Sequence, residues 1–512
     1  MRDHPFSRNI AQPTGARVES AFGAKVEAQE LKAPQSPFGA RVASPFAPAR
    51  AIPAAAAVQT LPGVPGNPAA QAISLTLLLI FLFFAYSRIL DYALSSLHIP
   101  LIVSTLTLCF ALLSGGLFRI FRSLTGIYML LYLGWMAICV PLAFWKGGSF
   151  FYFQEYCKSF LVFVLIVASL RRSRNVLHAG YAIALAMVVV AVLCLTLGIT
   201  DQFGRLTLVT GMLGNSNDLA QVLLVGIPFW ILFGNARKSM SIRPLVSAVV
   251  ILVMLFLIMK TGSRAVMIGV FTVAGMFFLS VSWMNKLRFA IGGMVGAVIL
   301  LVAMPGALRD RYATIFSTED VSSREVASAV ASASNRTQLL KRSIAMTLRH
   351  PAFGVGPGNF QPASAEAFGN QLGTSWYETH NTMTQISSEM GFPGLFLFSG
   401  ALFCCFRSVW RLSRWKPAAG QPISPAVADH IHFLNRMGSC LLLSLASLTL
   451  TSLFTSIAYQ IFFPTLIGLC AALDLTAKEE LRALFPNKEP SSSPYAFASA
   501  APNTTGRLRP AI

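Results

Sequence analysis

The chain has 512 residues, 54% hydrophobic and only 12% charged, with a mean hydropathy of +0.62. Soluble domains carry about 25% charged residues, so this composition excludes a string of soluble domains and makes lipid the solvent. Lys and Arg outnumber Asp and Glu by 40 to 20, a balance that also suits nucleic acid, but where those charges sit excludes a nucleic-acid partner in favour of an anionic membrane surface.

Residues 1–70 are predicted to form a disordered cytoplasmic tail. They repeat Gly15-Ala16-Arg17-Val18 as Gly23-Ala24-Lys25-Val26 and Gly39-Ala40-Arg41-Val42, then run Pro- and Ala-rich to Pro68, with too little apolar surface to fold alone. No apolar core of a cleavable signal peptide stands near Met1, so the first apolar run is expected to serve as the signal anchor.

A spanning helix needs roughly 20 apolar residues, and about twelve such runs follow. They are placed near 73–90, 95–114, 124–145, 150–170, 176–199, 217–234, 244–260, 264–283, 288–305, 391–410, 437–457 and 459–475. The expected fold is therefore all-α: a polytopic helical membrane protein with nine spans in 71–305, one large periplasmic loop over 306–390, three spans in 391–475 and a cytoplasmic C-terminal tail over 476–512.

Fifteen basic residues, among them Arg119, Arg122, Arg171, Arg172, Arg174, Arg407, Arg411 and Arg436, fall in the short connections on one side, against six (Arg88, Lys146, Lys158, Arg205, Lys260, Arg264) on the other. The positive-inside rule then predicts both termini in the cytoplasm, with the long loop outside, which in an envelope with two membranes is the periplasm. The eight cysteines lie in or beside predicted spans, so no disulfide framework or thiolate metal site is expected.

Polar residues concentrate on the outer side. Between the fifth and sixth spans lie Arg205 and Gly211-Met212-Leu213-Gly214-Asn215-Ser216-Asn217-Asp218, in which Asn217 or Asp218 is placed to cap the sixth span. Lys260-Thr261-Gly262-Ser263-Arg264 joins the seventh and eighth, and an arginine at a helix start at membrane depth is costly unless it has a task or snorkels out.

In the long loop, Asn335 is expected to cap a helix to about Leu348. Leu339, Leu340, Ile344 and Leu348 would form its apolar stripe, and Arg336, Lys341, Arg342 and Arg349 its basic face. Such a helix suits either anchoring among lipid headgroups or cradling an anionic group. His350-Pro351 ends it. Gly354-Val355-Gly356-Pro357-Gly358-Asn359-Phe360 lacks the Lys-Ser/Thr of a phosphate loop and reads as a turn. His380 is expected to open a further helix, with Thr384 and Ser387 on its face, broken at Gly391-Phe392-Pro393-Gly394 before the tenth span.

These elements, in this order, resemble the bacterial O-antigen ligase and polysaccharide repeat-unit polymerase family. The resemblance rests on Gly214-Asn215-Ser216-Asn217-Asp218-Leu219-Ala220, Thr261-Gly262-Ser263-Arg264, Asn335-Arg336-Thr337 with the helix into His350-Pro351-Ala352-Phe353-Gly354, and His380-Asn381 followed by Glu389-Met390-Gly391-Phe392-Pro393-Gly394, covering roughly residues 200–400. It implies a metal-independent glycosyltransferase without cofactor, with an undecaprenyl-diphosphate-linked oligosaccharide as donor and a glycan as acceptor. The activity would be that of a repeat-unit polymerase, or of a ligase onto a lipid A core. A flippase and a chain-length regulator are candidate partners, and membrane lipid is the surrounding one.

Chemistry then assigns the residues. A diphosphate leaving group without a metal needs guanidinium forks, supplied by Arg264 and Arg336 first and by Arg342 and Arg205 second. The acceptor hydroxyl needs a base near neutral pH, supplied by His380, with Glu378 preferred to Glu389 as the group that orients its ring. A flippase for the same lipid-linked glycans is the alternative of a different class. It would be expected to place charges at the bilayer midplane and to show repeated halves, whereas here the polar residues gather at one outer loop.

Overall fold

The computed structural model describes residues 67–90, 99–201, 204–209, 211–235, 242–303, 306, 309, 312, 324–369, 377–417 and 423–486, excepting the side chains of 211, 212 and 324–333. The N-terminal repeat of residues 15–42, parts of the long outer loop and the end of the chain lie outside them.

Each expected span coincides with a helix: α1 (Pro68–Ser87), α2 (Ile99–Leu113), α3 (Leu124–Cys139), α4 (Lys146–Ser169), α5 (Ser173–Leu197), α6 (Ser216–Gly234), α7 (Arg243–Lys260), α8 (Arg264–Ser280) and α9 (Trp283–Ala303). The long polar segment contributes α10 (Arg324–Arg349) and α11 (Phe360–Phe368), and the last described helices are α12 (Thr382–Ser413), α13 (Pro425–Ser452) and α14 (Phe462–Leu484). Among the described residues, eight helices are long and apolar enough to cross a membrane by length and composition, α2, α3 and α8 are shorter apolar helices, and α14, at the expected twelfth span, falls in neither group. The protein is an all-α, polytopic membrane protein.

The core is a bundle in which α12 packs on α3, α13 and α14, α13 on α6 and α8, and α14 on α4. At one end, Arg119 and Arg122 bridge to Glu479 at 3.2 and 3.4 Å. Beside them the buried Glu480 accepts from the Ser173 N–H at 2.9 Å, the Ser173 hydroxyl at 2.6 Å and lies 3.1 Å from His430 Nε2. A buried carboxylate is tolerated only with such donors. Near the same end the hydroxyls of Ser74 and Ser169 meet at 2.6 Å, and towards the opposite end Gln221 Nε2 donates to Thr451 Oγ1 at 2.8 Å. All eight cysteines are free thiols.

Several local expectations are corrected. α10 begins at Arg324, so Asn335 lies inside the helix rather than capping it. Its packed face is Leu339, Ser343, Met346 and Thr347, with Thr347 and Ser387 of α12 sharing a hydrogen bond of 2.9 Å, while Leu340, Ile344 and Leu348 are exposed. Serine and threonine hydroxyls find partners inside a helix contact, which a stripe drawn on apolar residues alone overlooks. The sixth span is capped by Asn215, whose side chain accepts from the Asn217 N–H, not by Asn217 or Asp218. α14 continues to Leu484, nine residues beyond the predicted twelfth span, because Glu479 and Glu480 are held by partners there.

Candidate active site

At the other end of the bundle, connecting segments fold onto the starts of three long helices. The Gly-rich run is a turn, as expected, clamped to α12 by the Val355 and Gly356 N–H groups donating to the Ser388 and Glu389 carbonyls at 2.9 Å each. The fit requires glycine on both sides. Gly354 and Gly391 have φ of +65° and +68°, and an added Cβ would fall 2.3 Å from the Glu389 carbonyl carbon or 2.2 Å from the Ala352 carbonyl oxygen. Gly391 is also the break within α12 that the sequence marks.

Glu389 is the anchor of this clamp. Fully enclosed, it accepts from the N–H groups of Gly358 and Phe360 at 2.9 and 3.3 Å and from the Tyr459 hydroxyl. Its oxygens are committed to scaffold, and Glu378 is the carboxylate that shares a partner with His380.

His380 does not open α12. Asn381 does, its side chain accepting from the Met383 and Thr384 N–H groups at 3.0 and 3.1 Å. His380 precedes that cap with a positive φ of 51°, a left-handed conformation that costs a residue with a Cβ roughly 1–2 kcal/mol. It is held there by the α13–α14 turn: the His380 N–H donates to Ser456 Oγ at 2.8 Å, and Thr382 Oγ1 donates to the Thr455 carbonyl at 2.7 Å. Burial, and then the Arg336 guanidinium, push the imidazole down to about 4. The positive end of α12 acts in the same sense.

Glu378 meets His380 through an intermediary. Its carboxylate hydrogen-bonds Ser456, the residue that takes the His380 N–H, and desolvation raises the carboxylate above its ordinary range against that hydrogen bond. Sequence reading misses Ser456 because nothing in the run Thr455-Ser456-Ile457 distinguishes it from any span-ending serine.

The arginines are brought together from three elements. Arg205 sits in a short hairpin (β1, Ile199–Thr200; β2, Leu206–Thr207) closed by its N–H donating to Asp201 Oδ1 at 2.9 Å. Its side chain donates through Nε to the Thr261 carbonyl at 2.9 Å and through Nη2 to Asn217 Oδ1 at 3.0 Å, tying the start of α6 to the α7–α8 junction. Desolvation lowers its proton affinity; Asp201 and Tyr312 oppose this, and Arg336 and Arg264 add to it. Arg264 is the first residue of α8, after a turn in which Thr261 and Ser263 are buried.

Arg336 on α10 thus acts electrostatically on both Arg205 and His380. Arg342 is elsewhere on that helix: six residues on, about one and two-thirds turns along and about 120° around the axis, its Cζ lies 5.6 Å from the Phe368 ring centroid of α11. Of the six predicted residues, Arg205, Arg264, Arg336, His380 and Glu378 are joined through shared partners and fields, and Arg342 is engaged with α11. The N-termini of α6, α8 and α12 open onto the same group, and helix N-termini with guanidinium forks make an anion site. No cluster of metal-ligating side chains occurs among the described residues.

A search of curated proteins gives no match. The family model described as O-Antigen ligase matches residues 248–399, the stretch from α7 into α12 that contains Arg264, Arg336, Arg342, Glu378 and His380 but not Arg205. Over that stretch, less than a third of the chain, this multi-pass membrane protein is similar to the O-antigen ligase family.

Proposed function

We propose that the protein transfers a glycan from an undecaprenyl-diphosphate donor to a sugar hydroxyl at the periplasmic face of the inner membrane, as a repeat-unit polymerase, with both termini in the cytoplasm. The observation that carries this reading is the meeting of Arg205, Arg264, Arg336 and His380 where α6, α8 and α12 begin. The diphosphate seats among the guanidinium groups and helix N-termini, which stabilise the negative charge that grows as the bond from the anomeric carbon to the diphosphate oxygen breaks. The acceptor hydroxyl attacks that carbon, and its proton passes to the imidazole of His380.

The low proton affinity of His380 fits this order of events. Before the donor arrives, burial and Arg336 keep the imidazole unprotonated and ready to accept; once a diphosphate offsets the Arg336 charge, the same ring becomes a stronger base. Glu378 acts through Ser456 to fix the backbone and ring in place.

His380→Ala tests the assignment. Normal abundance and insertion are expected, with lipid-linked short glycan accumulating and turnover falling about 10²–10⁴-fold, the usual share of a general base; unchanged polymer length removes His380 from the chemistry. Since arginines take the role a cation would have, a chelator should leave the purified enzyme's rate unchanged. A rate lost to the chelator and restored by magnesium contradicts that part of the proposal.

A further inference from the structure

A recess with polar groups in its wall lies against the Gly-rich turn, which lines it at Gly354 and Val355. It encloses about 430 Å³ between the turn after α3, the end of α10 and the middle of α11, with Leu142, Phe144, Met346, Arg349, His350 and Glu366 among its walls. That is the size of a small-molecule site, and none of the residues assigned to the transfer reaction lines it.

Its depth follows from the packing. Trp135, one turn from the end of α3, donates from Nε1 to the Met390 carbonyl at 2.9 Å and stacks on Phe353 with centroids 5.2 Å apart. The Phe392 N–H donates to the Pro351 carbonyl at 2.8 Å, so the chain after α10 lies level with the outer ends of α3 and of the membrane part of α12. The residues turned outward here are apolar and exposed: Leu142 at 55%, Leu348 at 66%, Phe392 at 50% and Phe396 at 67%. An apolar rim with aromatic residues beside a polar recess is the profile of a bilayer interface.

The charges select a headgroup. Arg349, its Cζ 4.8 Å from the Phe368 centroid, is fixed by the ring and offers its remaining N–H groups to a phosphate. Glu366 faces the same recess and repels a plain anion, while a carboxylate accepts hydrogen bonds from a primary ammonium and not from a quaternary one. Neither residue forms an ion pair among the described residues. We propose that this recess binds a zwitterionic aminophospholipid, its phosphate on Arg349, its ammonium on Glu366 and its acyl chains along Leu142, Phe392 and Phe396. The site holds the outer helices α10 and α11 to the bilayer.

Native mass spectrometry of the full-length protein in detergent tests this, with phosphatidylethanolamine, phosphatidylcholine and phosphatidylglycerol of equal acyl chains. Phosphatidylethanolamine should be retained at least about tenfold better than the other two, and Arg349→Gln or Glu366→Gln should each remove that preference, with Glu366→Gln improving phosphatidylglycerol. Both side chains are exposed, and a thermal midpoint equal to wild type verifies that each variant is folded. Equal retention of the three lipids, or a preference untouched by Glu366→Gln, overturns the site. Soluble phosphoethanolamine should fail to displace the lipid at equal concentration; displacement would make the free headgroup the ligand and overturn the membrane-lipid assignment.

Discussion

Glu480 and Glu389 are buried at opposite ends of the helix bundle, and each is solvated by three donors. Glu480 takes the backbone N–H and hydroxyl of Ser173 and faces His430; Glu389 takes two backbone N–H groups and the Tyr459 hydroxyl. The first fastens a helix junction and the second fastens the Gly-rich turn to α12. Around Glu480 the neighbouring basic groups are answered by carboxylates, as Arg119 and Arg122 are by Glu479. At the other end the candidate site gathers arginines, an imidazole and the carboxylate of Glu378, with Arg205 and the His380 backbone held by oxygens of Thr261, Asn217 and Ser456 and with Asp201 beside Arg205. Equal scaffolding thus supports a closed, structural end and an end whose arrangement suits an incoming anion.

The contrast breaks most sharply at Glu389. Glu389→Ala leaves two N–H groups and a hydroxyl buried without acceptors, a loss of about 3–5 kcal/mol, and should sharply reduce the yield of folded protein in membranes. A variant that is abundant and thermally normal but inactive would instead move Glu389 into the chemistry. Next in size is Arg264→Lys, which keeps the charge and loses the fork: transfer should fall about 10²-fold, as for loss of one oriented donor, with the thermal midpoint unchanged. Wild-type turnover in that variant would make Arg264 an interfacial anchor.

Much of this architecture is legible in the sequence because lipid enforces it. A span must be apolar for roughly 20 residues, so each predicted run finds its helix, and the Gly354–Gly358 turn and the Gly391 break are announced by glycine itself. The candidate site is legible as a set of polar residues where an apolar chain has no other need of them. What escapes is whatever depends on a partner far along the chain. Ser456 lies 76 residues from His380, and Glu389 is bound by Tyr459, 70 residues away. The packed face of α10 is equally hidden, since Ser343 and Thr347 look polar until α12 supplies Ser387.

The central claim is that Arg336 and His380, 44 positions apart in the chain, share one site and one field. The pH dependence of kcat/KM, which reports the free enzyme, tests it in Arg336→Gln. Removing the cation should raise the imidazole from about 4, so the acidic limb of the profile should move upward, by about half to one pH unit, while its alkaline side stays in place. An acidic limb at the wild-type position, in a folded variant that still turns over, would contradict the account.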